Sequence, residues 1–310
     1  MPMKLLKREN EEQIVIERAM HARRDRLTLE KRWCVGCGLC VITCPREAIS
    51  LREITKDKEG NVQKPQIDID EKKCHYCGIC NTICIFGALT LSLDGEVKIP
   101  VAEAESFPEL TKEVKVDPSK CDLECIDCEE VCPFDLIRVE VRDWKGNKIE
   151  DVEAVEDKEG LTFNIEVDKA HCPCCRICAE KCPPGVMNVK KIFHGRIKIN
   201  QEKCPEGCDD CLDVCPIPGV LYKGEDGKVY VDDTFCVYCG TCKLVCPVEE
   251  ALELQRAYIS HAPVKSGAWN KALEKLTSTR GMAKELYSKG LFKLKESVER
   301  RMKWRVKAGV

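Results

Sequence analysis

Twenty-four of the 25 cysteines in this 310-residue chain fall into six short runs. Within a run, two residues separate each of the first three cysteines, and three more precede the fourth; the third and fifth runs have a first gap of three. Thiolates at such spacing bind iron–sulfur clusters or zinc, and thiols can also pair as disulfides. The six runs are Cys34, Cys37, Cys40 and Cys44; Cys74, Cys77, Cys80 and Cys84; Cys121, Cys125, Cys128 and Cys132; Cys172, Cys175, Cys178 and Cys182; Cys204, Cys208, Cys211 and Cys215; and Cys236, Cys239, Cys242 and Cys246.

The spacing distinguishes these chemistries. A Cys-x2-Cys-x2-Cys-x3-Cys-Pro run resembles the bacterial ferredoxin run that ligates [4Fe–4S] clusters. Structural zinc sites instead use Cys-x-x-Cys pairs separated by a longer gap. Disulfides conflict with the odd cysteine count, and the start Met1–Arg8 leads into acidic residues, so we expect no signal peptide. The sequence therefore predicts six [4Fe–4S] clusters, with the 24 cysteines as iron ligands.

Each run also predicts a local shape. We expect the fourth cysteine to begin a helix that points away from the loop, with the following Pro in its first turn. The second run has Ile85 in place of this Pro, and we expect no loss of a cluster there. Glycines let the backbone approach the cluster, so that amides can hydrogen-bond the sulfurs. These glycines are Gly36, Gly38, Gly78 and Gly240.

Short segments of alternating apolar and polar residues flank the runs, and alternation is typical of a strand with one buried face. The repeating unit is therefore predicted as strand, cysteine loop, short helix and strand. The segments before the runs are 67–70, 114–117, 165–168, 197–200 and 229–232, and those after them are 48–51, 88–91, 136–139, 186–189 and 251–254.

The amino-acid composition indicates the kind of core and the setting of the chain. Hydrophobic residues are 44 % including the cysteines and aromatics only 5 %, so a single large apolar core is not expected. The sequence has no apolar run of the length of a membrane span, and the many thiols predict a reducing, cytoplasmic setting. Residues 261–310 carry 13 Lys and Arg against four Glu, which makes this end basic within a chain of net charge −3.

The two ends lack cysteine, and spaced apolar residues predict a helix in each. The end segments are 1–26, an N-terminal helical extension, and 257–310, a basic helical extension. For the C-terminal helix, packing on its own domain and docking on a partner subunit both remain open. Nucleic acid or an anionic membrane would use the same charge, but no recognised motif supports nucleic-acid binding.

The resemblance to two-cluster bacterial ferredoxins implies an α+β fold of three tandem domains. In that fold two runs pack about a pseudo-two-fold axis, and each fourth cysteine ligates the cluster of the other run. Consecutive pairing implies the domains 27–100, 101–193 and 194–256; nested pairing of the fourth and fifth runs stays open. The implied ligand sets are Cys34, Cys37, Cys40 and Cys84; Cys74, Cys77, Cys80 and Cys44; Cys121, Cys125, Cys128 and Cys182; Cys172, Cys175, Cys178 and Cys132; Cys204, Cys208, Cys211 and Cys246; and Cys236, Cys239, Cys242 and Cys215.

Several residues beside the runs invite a functional interpretation. Cys174 lies between two predicted ligands and is interpreted as a spare thiol. His75 and His171 flank ligands, but each run already has four cysteines, so loop positions are the simpler interpretation. Aromatic side chains next to ligands are expected to shield the clusters from water. They are Trp33, Tyr76, Phe235 and Tyr238.

Over about residues 27–256 the chain resembles the archaeal polyferredoxins, which serve formylmethanofuran dehydrogenase and hydrogenases of methanogens. The stretch 259–270 is similar to the tail of the polyferredoxin subunit of tungsten or molybdenum formylmethanofuran dehydrogenase, although that family's better-known members have eight runs. The resemblance implies a non-catalytic subunit that carries low-potential electrons to or from a metallopterin formate-dehydrogenase-like subunit, in a complex with an amidohydrolase-like subunit. Further ferredoxin subunits could join them. A hydrogenase partner, a free multi-cluster carrier and a nucleic-acid-binding scaffold are the alternatives.

Overall fold

The computed structural model describes residues 3–121, 125–143, 145–149, 161–183, 185–248 and 250–278. These residues form short helices and antiparallel sheets. The strands are β1 (Lys4–Glu9), β2 (Gln13–Ala19), β3 (Arg24–Glu30), β4 (Ile49–Leu51), β5 (Ile67–Ile69), β6 (Leu89–Leu93), β7 (Glu96–Val97), β8 (Val114–Val116), β9 (Ile137–Arg142), β10 (Lys148–Ile149), β11 (Thr162–Val167), β12 (Met187–Val189), β13 (Phe193–Ile199), β14 (Leu221–Lys223), β15 (Val229–Val231) and β16 (Leu252–Ile259). The helices are α1 (Leu39–Thr43), α2 (Ile79–Ile83), α3 (Pro100–Glu103), α4 (Asp127–Glu130), α5 (Ile177–Lys181), α6 (Asp210–Asp213), α7 (Thr241–Val245) and α8 (Gly267–Thr277), with a 3-10 turn at Pro118–Lys120.

One strand arrangement occurs three times. The strand before one cysteine run pairs with the strand after the next run, and the two strands between those runs pair with each other. This gives β3 with β6 and β4 with β5 in unit 1, β8 with β12 and β9 with β11 in unit 2, and β13 with β16 and β14 with β15 in unit 3. Pairing is therefore consecutive rather than nested. All ten predicted segments form strands, which confirms the alternation argument.

The predicted N-terminal helix is wrong. Residues 4–30 form β1, β2 and β3, which extend the sheet of unit 1 to the order β1-β2-β3-β6-β7. The consecutive residues Ile14, Val15 and Ile16 are all buried, a pattern that suits a covered strand and β-branched side chains better than one helical face. Asn10 closes the first hairpin, because its side-chain oxygen accepts hydrogen bonds from the amides of Glu12 and Gln13.

The expected helix after the fourth cysteine is also wrong. The short helices α1, α2, α5 and α7 lie before it, between the second and fourth cysteines, and the fourth cysteine ends each of them. A residue before Pro avoids the helical region, and Pro commonly follows a helix end. Cys44 before Pro45 and Cys84 before Ile85 are both extended, with φ of −67° and −76°. The conformation therefore does not depend on the Pro.

The C-terminal helix is confirmed over α8, and the remainder of that prediction, 279–310, lies outside the described residues. The buried face of α8 includes Trp269 and Leu276, and it packs on the chain itself. Trp269 meets Phe107 edge to face at 5.6 Å, and its indole N–H donates to His261. The domain boundaries predicted at 193/194 and 256/257 cut into β13 and β16, so the strands extend past them.

Candidate iron–sulfur sites

In the five cysteine runs whose loop is described at this position, the residue before the second cysteine has a left-handed backbone. Gly36 has φ of 69° there, and a Cβ on it would lie 2.1 Å from the carbonyl oxygen of Pro65, so only glycine fits. At the equivalent positions Tyr76, Cys174 and Tyr238 adopt φ of 54°, 59° and 50°. The left-handed conformation, rather than glycine itself, recurs at this position, so the glycines of the sequence do not reveal it.

This backbone conformation turns amide groups toward sulfur. The amide of Tyr76 donates to Cys74 Sγ and that of Tyr238 donates to Cys236 Sγ, both at 3.4 Å. A second set of amides reaches the fourth cysteine of a run from four residues further on. These bonds join Ala48 to Cys44 Sγ, Ala88 to Cys84 Sγ and Leu136 to Cys132 Sγ, at 3.3–3.4 Å. The predicted amide–sulfur contacts are therefore present, although mostly from residues other than glycine.

The structure brings together the cysteine sets that the ferredoxin resemblance implied. Each set is called a cage, numbered by the run that supplies three of its cysteines. Four cages surround cavities with apolar neighbours: cage 2 (Cys74, Cys77, Cys80 and Cys44), cage 4 (Cys172, Cys175, Cys178 and Cys132), cage 5 (Cys204, Cys208, Cys211 and Cys246) and cage 6 (Cys236, Cys239, Cys242 and Cys215).

The other two cages show the same grouping in their electrostatics. In cage 1 (Cys34, Cys37, Cys40 and Cys84), burial raises the pKa of Cys40 well above its usual value, and the other three thiols raise it further, together with Cys80 of the adjacent cage 2. In cage 3 (Cys121, Cys125, Cys128 and Cys182), burial and the other three cysteines raise the pKa of Cys128 to about 12. Each fourth cysteine thus crosses to the cage of its partner run within one unit.

Cages 3 and 5 come from the runs with a first gap of three residues. In cage 5, Cys208 follows Gly207, whose φ of 78° repeats the left-handed position, and Cys208 lines the cavity. In cage 3, Cys125 lies close enough to Cys128 for its charge to raise the pKa of that thiol. The second cysteine of each of these runs therefore still lies in its cage, despite the longer first gap.

Cys246, the fourth cysteine of the last run, differs from the expectation for its position and from three other fourth cysteines. It was expected to begin a helix, but it ends α7 with φ of −59° and ψ of 118°. Its Sγ contacts the carbonyl oxygen of Val248 at 3.4 Å, whereas Cys44, Cys84 and Cys132 accept a bond from an amide. Cys246 nevertheless lines the cage 5 cavity, as its predicted ligand set requires.

Burial raises the pKa of several of these thiols, to about 11 for Cys74, Cys175 and Cys215. A desolvated thiolate is costly, so burial favours the neutral form of these three thiols. Four cysteines with amide donors around an apolar space are the donor set of a [4Fe–4S] cluster, so the residues fit that group.

Among the described residues, no three His, Cys, Asp or Glu side chains are close enough to hold a single metal ion. His171 bonds the carboxylate of Asp168 at 2.6 Å, so its ring already has a partner.

His75 lies at the wall of the cage 2 cavity beside four cysteines. Both His75 and His171 thus occupy loop positions beside the cages, as the sequence analysis interpreted them.

Cys174 is fully buried beside cage 4, but four other cysteines line that cavity. Its thiol forms a hydrogen bond with Cys172, which lowers the pKa of the Cys172 thiol to about 7. Tyr76 and Tyr238 are buried against their loops, whereas Trp33 and Phe235 are half-buried. The tyrosines therefore exclude water more completely than the other two aromatics.

Three polar side chains that the sequence analysis did not single out lie between units: Lys112, Thr241 and Arg256. Lys112 and Thr241 each bond a carbonyl oxygen of a different unit. Arg256 bonds the loop of its own unit and is only 8 % exposed. No local pattern marks them. The one available signal is a basic residue on the apolar strand β16, which lies beside a cysteine loop.

The chain is similar to several known iron–sulfur and reductase proteins. A family model described as a 4Fe-4S dicluster domain matches residues 33–88. The chain is 32 % identical over 85 residues to an uncharacterized ferredoxin of Methanocaldococcus jannaschii, which is 27 % of this chain and 49 % of that protein. It is 32 % identical over 101 residues to a tetrathionate reductase subunit of Archaeoglobus fulgidus, which is 29 % of this chain and 48 % of that protein. It thus spans about half the length of these two curated relatives.

Two further matches are to a polyferredoxin and to one chain of a multi-enzyme complex. The chain is 37 % identical over 81 residues to the polyferredoxin MvhB of Methanothermobacter marburgensis, which is 22 % of this chain and 19 % of that protein. It also matches a chain of the formate dehydrogenase–heterodisulfide reductase–formylmethanofuran dehydrogenase complex from Methanospirillum hungatei, with a TM-score of 0.73 and 32 % identity. That alignment covers 88 % of this chain and 91 % of the other.

Fold, cysteine loops and comparisons define the class: the chain is an iron–sulfur electron-transfer protein with a 4Fe–4S ferredoxin domain. Within that class it is similar to the polyferredoxin MvhB over part of its length and to one chain of the Methanospirillum hungatei complex over most of it. Its relatives are electron-transfer subunits of oxidoreductase complexes, so the chain is related to non-catalytic ferredoxin subunits. No helix in the described ranges is long and apolar enough to cross a membrane.

Proposed function

We propose that all six cages hold [4Fe–4S] clusters, in three two-cluster domains, and that the chain conducts low-potential electrons to or from formylmethanofuran dehydrogenase. The identity of the partner is inferred from the match to one chain of the Methanospirillum complex, which extends over 91 % of that chain. The observation that carries the cluster count is that each of the six cysteine sets is assembled from both runs of one unit.

When bound, a [4Fe–4S] cluster accepts and releases one electron at a time. The cysteines hold it in place, and four protein thiolates leave no iron position open for a substrate. Amide donors such as those of Tyr76 and Tyr238 stabilise negative charge on sulfur. Buried side chains around the cages exclude water. We accordingly assign no catalytic residue to this chain, and chemical conversion belongs to its partner.

The partner is tested by anaerobic purification of the complex from the native organism and identification of its subunits by mass spectrometry. We expect a metallopterin formate-dehydrogenase-like subunit and an amidohydrolase-like subunit to co-elute with the chain. A hydrogenase or another reductase in their place would keep electron conduction and replace the partner; the similarity to a tetrathionate reductase subunit makes a reductase the second candidate. A chain that elutes alone would overturn the subunit role.

The clusters are tested separately on the anaerobically reconstituted full chain. Iron and acid-labile sulfide should each approach about 24 atoms per chain. A total near about eight would restrict the clusters to the domain that the family model matches. A chain without labile sulfide would reject the iron–sulfur proposal for all cages.

A further inference from the structure

Cage 1 lies at the junction of the three units, although its run comes first in the sequence. Its loop contacts the cage 6 loop of unit 3 on one side and the cage 4 loop of unit 2 on the other. Unit 1 is therefore in contact with both unit 2 and unit 3 through the loop of cage 1. Electron transfer depends on distance, so these contacts decide which cages are neighbours.

A buried hydroxyl joins cage 1 to cage 6. Thr241 is fully buried, and its Oγ1 donates to the carbonyl oxygen of Val35, which adjoins Cys34, at 3.2 Å. The same Oγ1 lies 3.5 Å from Cys239 Sγ of cage 6. Burial raises the pKa of Cys37 well above its usual value, and Cys239 contributes the next largest effect. The sulfurs of the two cages are thus electrostatic neighbours.

Arg256 places a positive charge in this same junction. It is 8 % exposed, and its guanidinium donates to the carbonyl oxygens of Tyr238 at 2.8 Å and Cys239 at 2.6 Å. Both acceptors are neutral, so these bonds leave the positive charge uncompensated. Its leading electrostatic neighbours are Cys37 of cage 1 and then Cys239 of cage 6.

A ring stack and a second cation join cage 1 to cage 4. Trp33 and His171, which adjoin Cys34 and Cys172 in the sequence, stack with ring centroids 4.3 Å apart and planes at 22°. Beside them, Lys112 Nζ donates to the carbonyl oxygen of Ile85 at 2.8 Å and to that of Ala170 at 2.5 Å. Its leading electrostatic neighbours are Cys84 of cage 1 and two cysteines of the cage 4 loop.

We propose that cage 1 is the hub through which electrons pass between units 2 and 3, and that Lys112 and Arg256 set its potential by holding one positive charge at each junction. This proposal rests on the proposed clusters. Each transfer moves one electron: the cage that releases it is oxidised, the cage that receives it is reduced, and no bond is made or broken. Lys112 and Arg256 are positioning residues that neither gain nor lose an electron.

The positive charges of Lys112 and Arg256 should raise the reduction potentials of the cages beside them. A reduced cage carries one more negative charge than an oxidised cage, so a fixed cation in a low-dielectric junction favours the reduced form. Removal of the cation should therefore make the reduction potential more negative. Because each cation lies between two cages, each removal should shift two potentials. Cage 1 is shared, so its potential alone should move in both variants.

The test is an EPR-monitored potentiometric titration of the reconstituted full chain. Lys112→Met should shift the potentials of cages 1 and 4, and Arg256→Met those of cages 1 and 6. In the double variant, the shift of one component should equal the sum of its two single shifts. Cys40→Ala identifies that component, because the cage 1 signal should be absent there. Lys112→Arg and Arg256→Lys keep the charge and should restore the potentials.

Surface variants control for general electrostatics. Lys98→Met and Arg26→Met remove exposed cations that pair with Glu96 and Glu17, and they should leave every potential unchanged. The proposal that cage 1 is a hub would be overturned if neither variant shifted a reduction potential. It would also be overturned if the two variants shifted no potential in common. A chain without any iron–sulfur signal would instead overturn the proposed function. The two failures are therefore distinguishable.

A second measurement does not require the charge variants to hold their clusters. In the fully reduced chain, neighbouring paramagnetic cages broaden each other's EPR signals. Loss of cage 1 through Cys40→Ala should remove more of this broadening than loss of cage 2 through Cys80→Ala in the same unit. Equal loss of broadening in the two variants would contradict a hub at cage 1.

Discussion

The indole ring of Trp33 lies on the imidazole of His171, 4.3 Å apart between ring centroids, although 138 positions separate the two residues in the sequence. Each ring belongs to the residue just before a cysteine run. The stack therefore docks the loop of unit 1 directly on that of unit 2.

The stack itself should contribute measurable coupling. We expect Trp33→Leu and His171→Ala to accelerate the thermal loss of visible cluster absorbance, with a coupling energy of about 1 kcal/mol in the double-mutant cycle. The rate of absorbance loss under strict anaerobiosis gives all four corners of the cycle. Strictly additive effects would show that the rings are adjacent without stabilising each other.

Substitution should distinguish the spare thiol Cys174 from the cysteines that ligate the cluster. Cys175→Ala removes one wall of the cage 4 cavity and should lower the iron content by about four of about 24 atoms. Cys174→Ser, one residue earlier, should leave the iron content unchanged, because four other cysteines line that cavity. Iron and sulfide analysis of the two purified variants is the measurement. A loss of iron in Cys174→Ser would make that thiol a ligand.

Asp25 should stabilise the N-terminal sheet strongly. Its carboxylate is fully buried and accepts hydrogen bonds from Arg18 at 2.5 Å and Arg23 at 2.5 Å. Asp25→Asn removes the charge but keeps the shape, and we expect it to lower the free energy of unfolding by about 2 kcal/mol.

Glu17→Gln is the matched control for this change. The Glu17 carboxylate pairs with the half-exposed Arg26 at 3.6 Å on the adjacent strand. An exposed pair of this kind contributes under about 1 kcal/mol. Anaerobic thermal unfolding compares the two variants, and similar destabilisation in both would refute a special role for the buried carboxylate.

Glu9 should make stability depend on pH in the acid range. Side-chain hydrogen bonds from Arg52 and then Lys31 lower the pKa of Glu9 from 4.5 to about 2. A lowered pKa means that the stabilisation is complete above pH 4.5 and is lost as the pH falls towards 2. The pair is accessible to solvent, so we expect about 1 kcal/mol at neutral pH.

The measurement is the difference in thermal stability between the parent chain and Glu9→Gln at several pH values. That difference should be constant from neutral pH down to about 5 and should shrink below it. Comparison of the two chains cancels the acid sensitivity that their cages share. Circular dichroism checks that both chains remain folded down to about pH 3.5. In folded chains, a stability difference that stays constant down to that pH would contradict the lowered pKa of Glu9.

The sequence by itself determined the six cysteine runs and the strands beside them. Spacing along the chain encodes both, because a loop of two-residue gaps must curl and an alternating segment such as 229–232 must bury one face. Two local predictions were wrong. The buried run Ile14–Ile16 belongs to a strand covered by its neighbours, and the fourth cysteine ends a helix that we expected it to begin.

Only the tertiary structure decided how the units meet. Thr241 reaches Val35 across 206 positions, and Lys112 bridges Ile85 and Ala170. Such contacts depend on how three similar units dock, and the repeats leave that docking unspecified because each unit satisfies its own strand pairing. The order of cages in space is therefore a property of surfaces between units, whereas the cages themselves arise within pairs of cysteine runs.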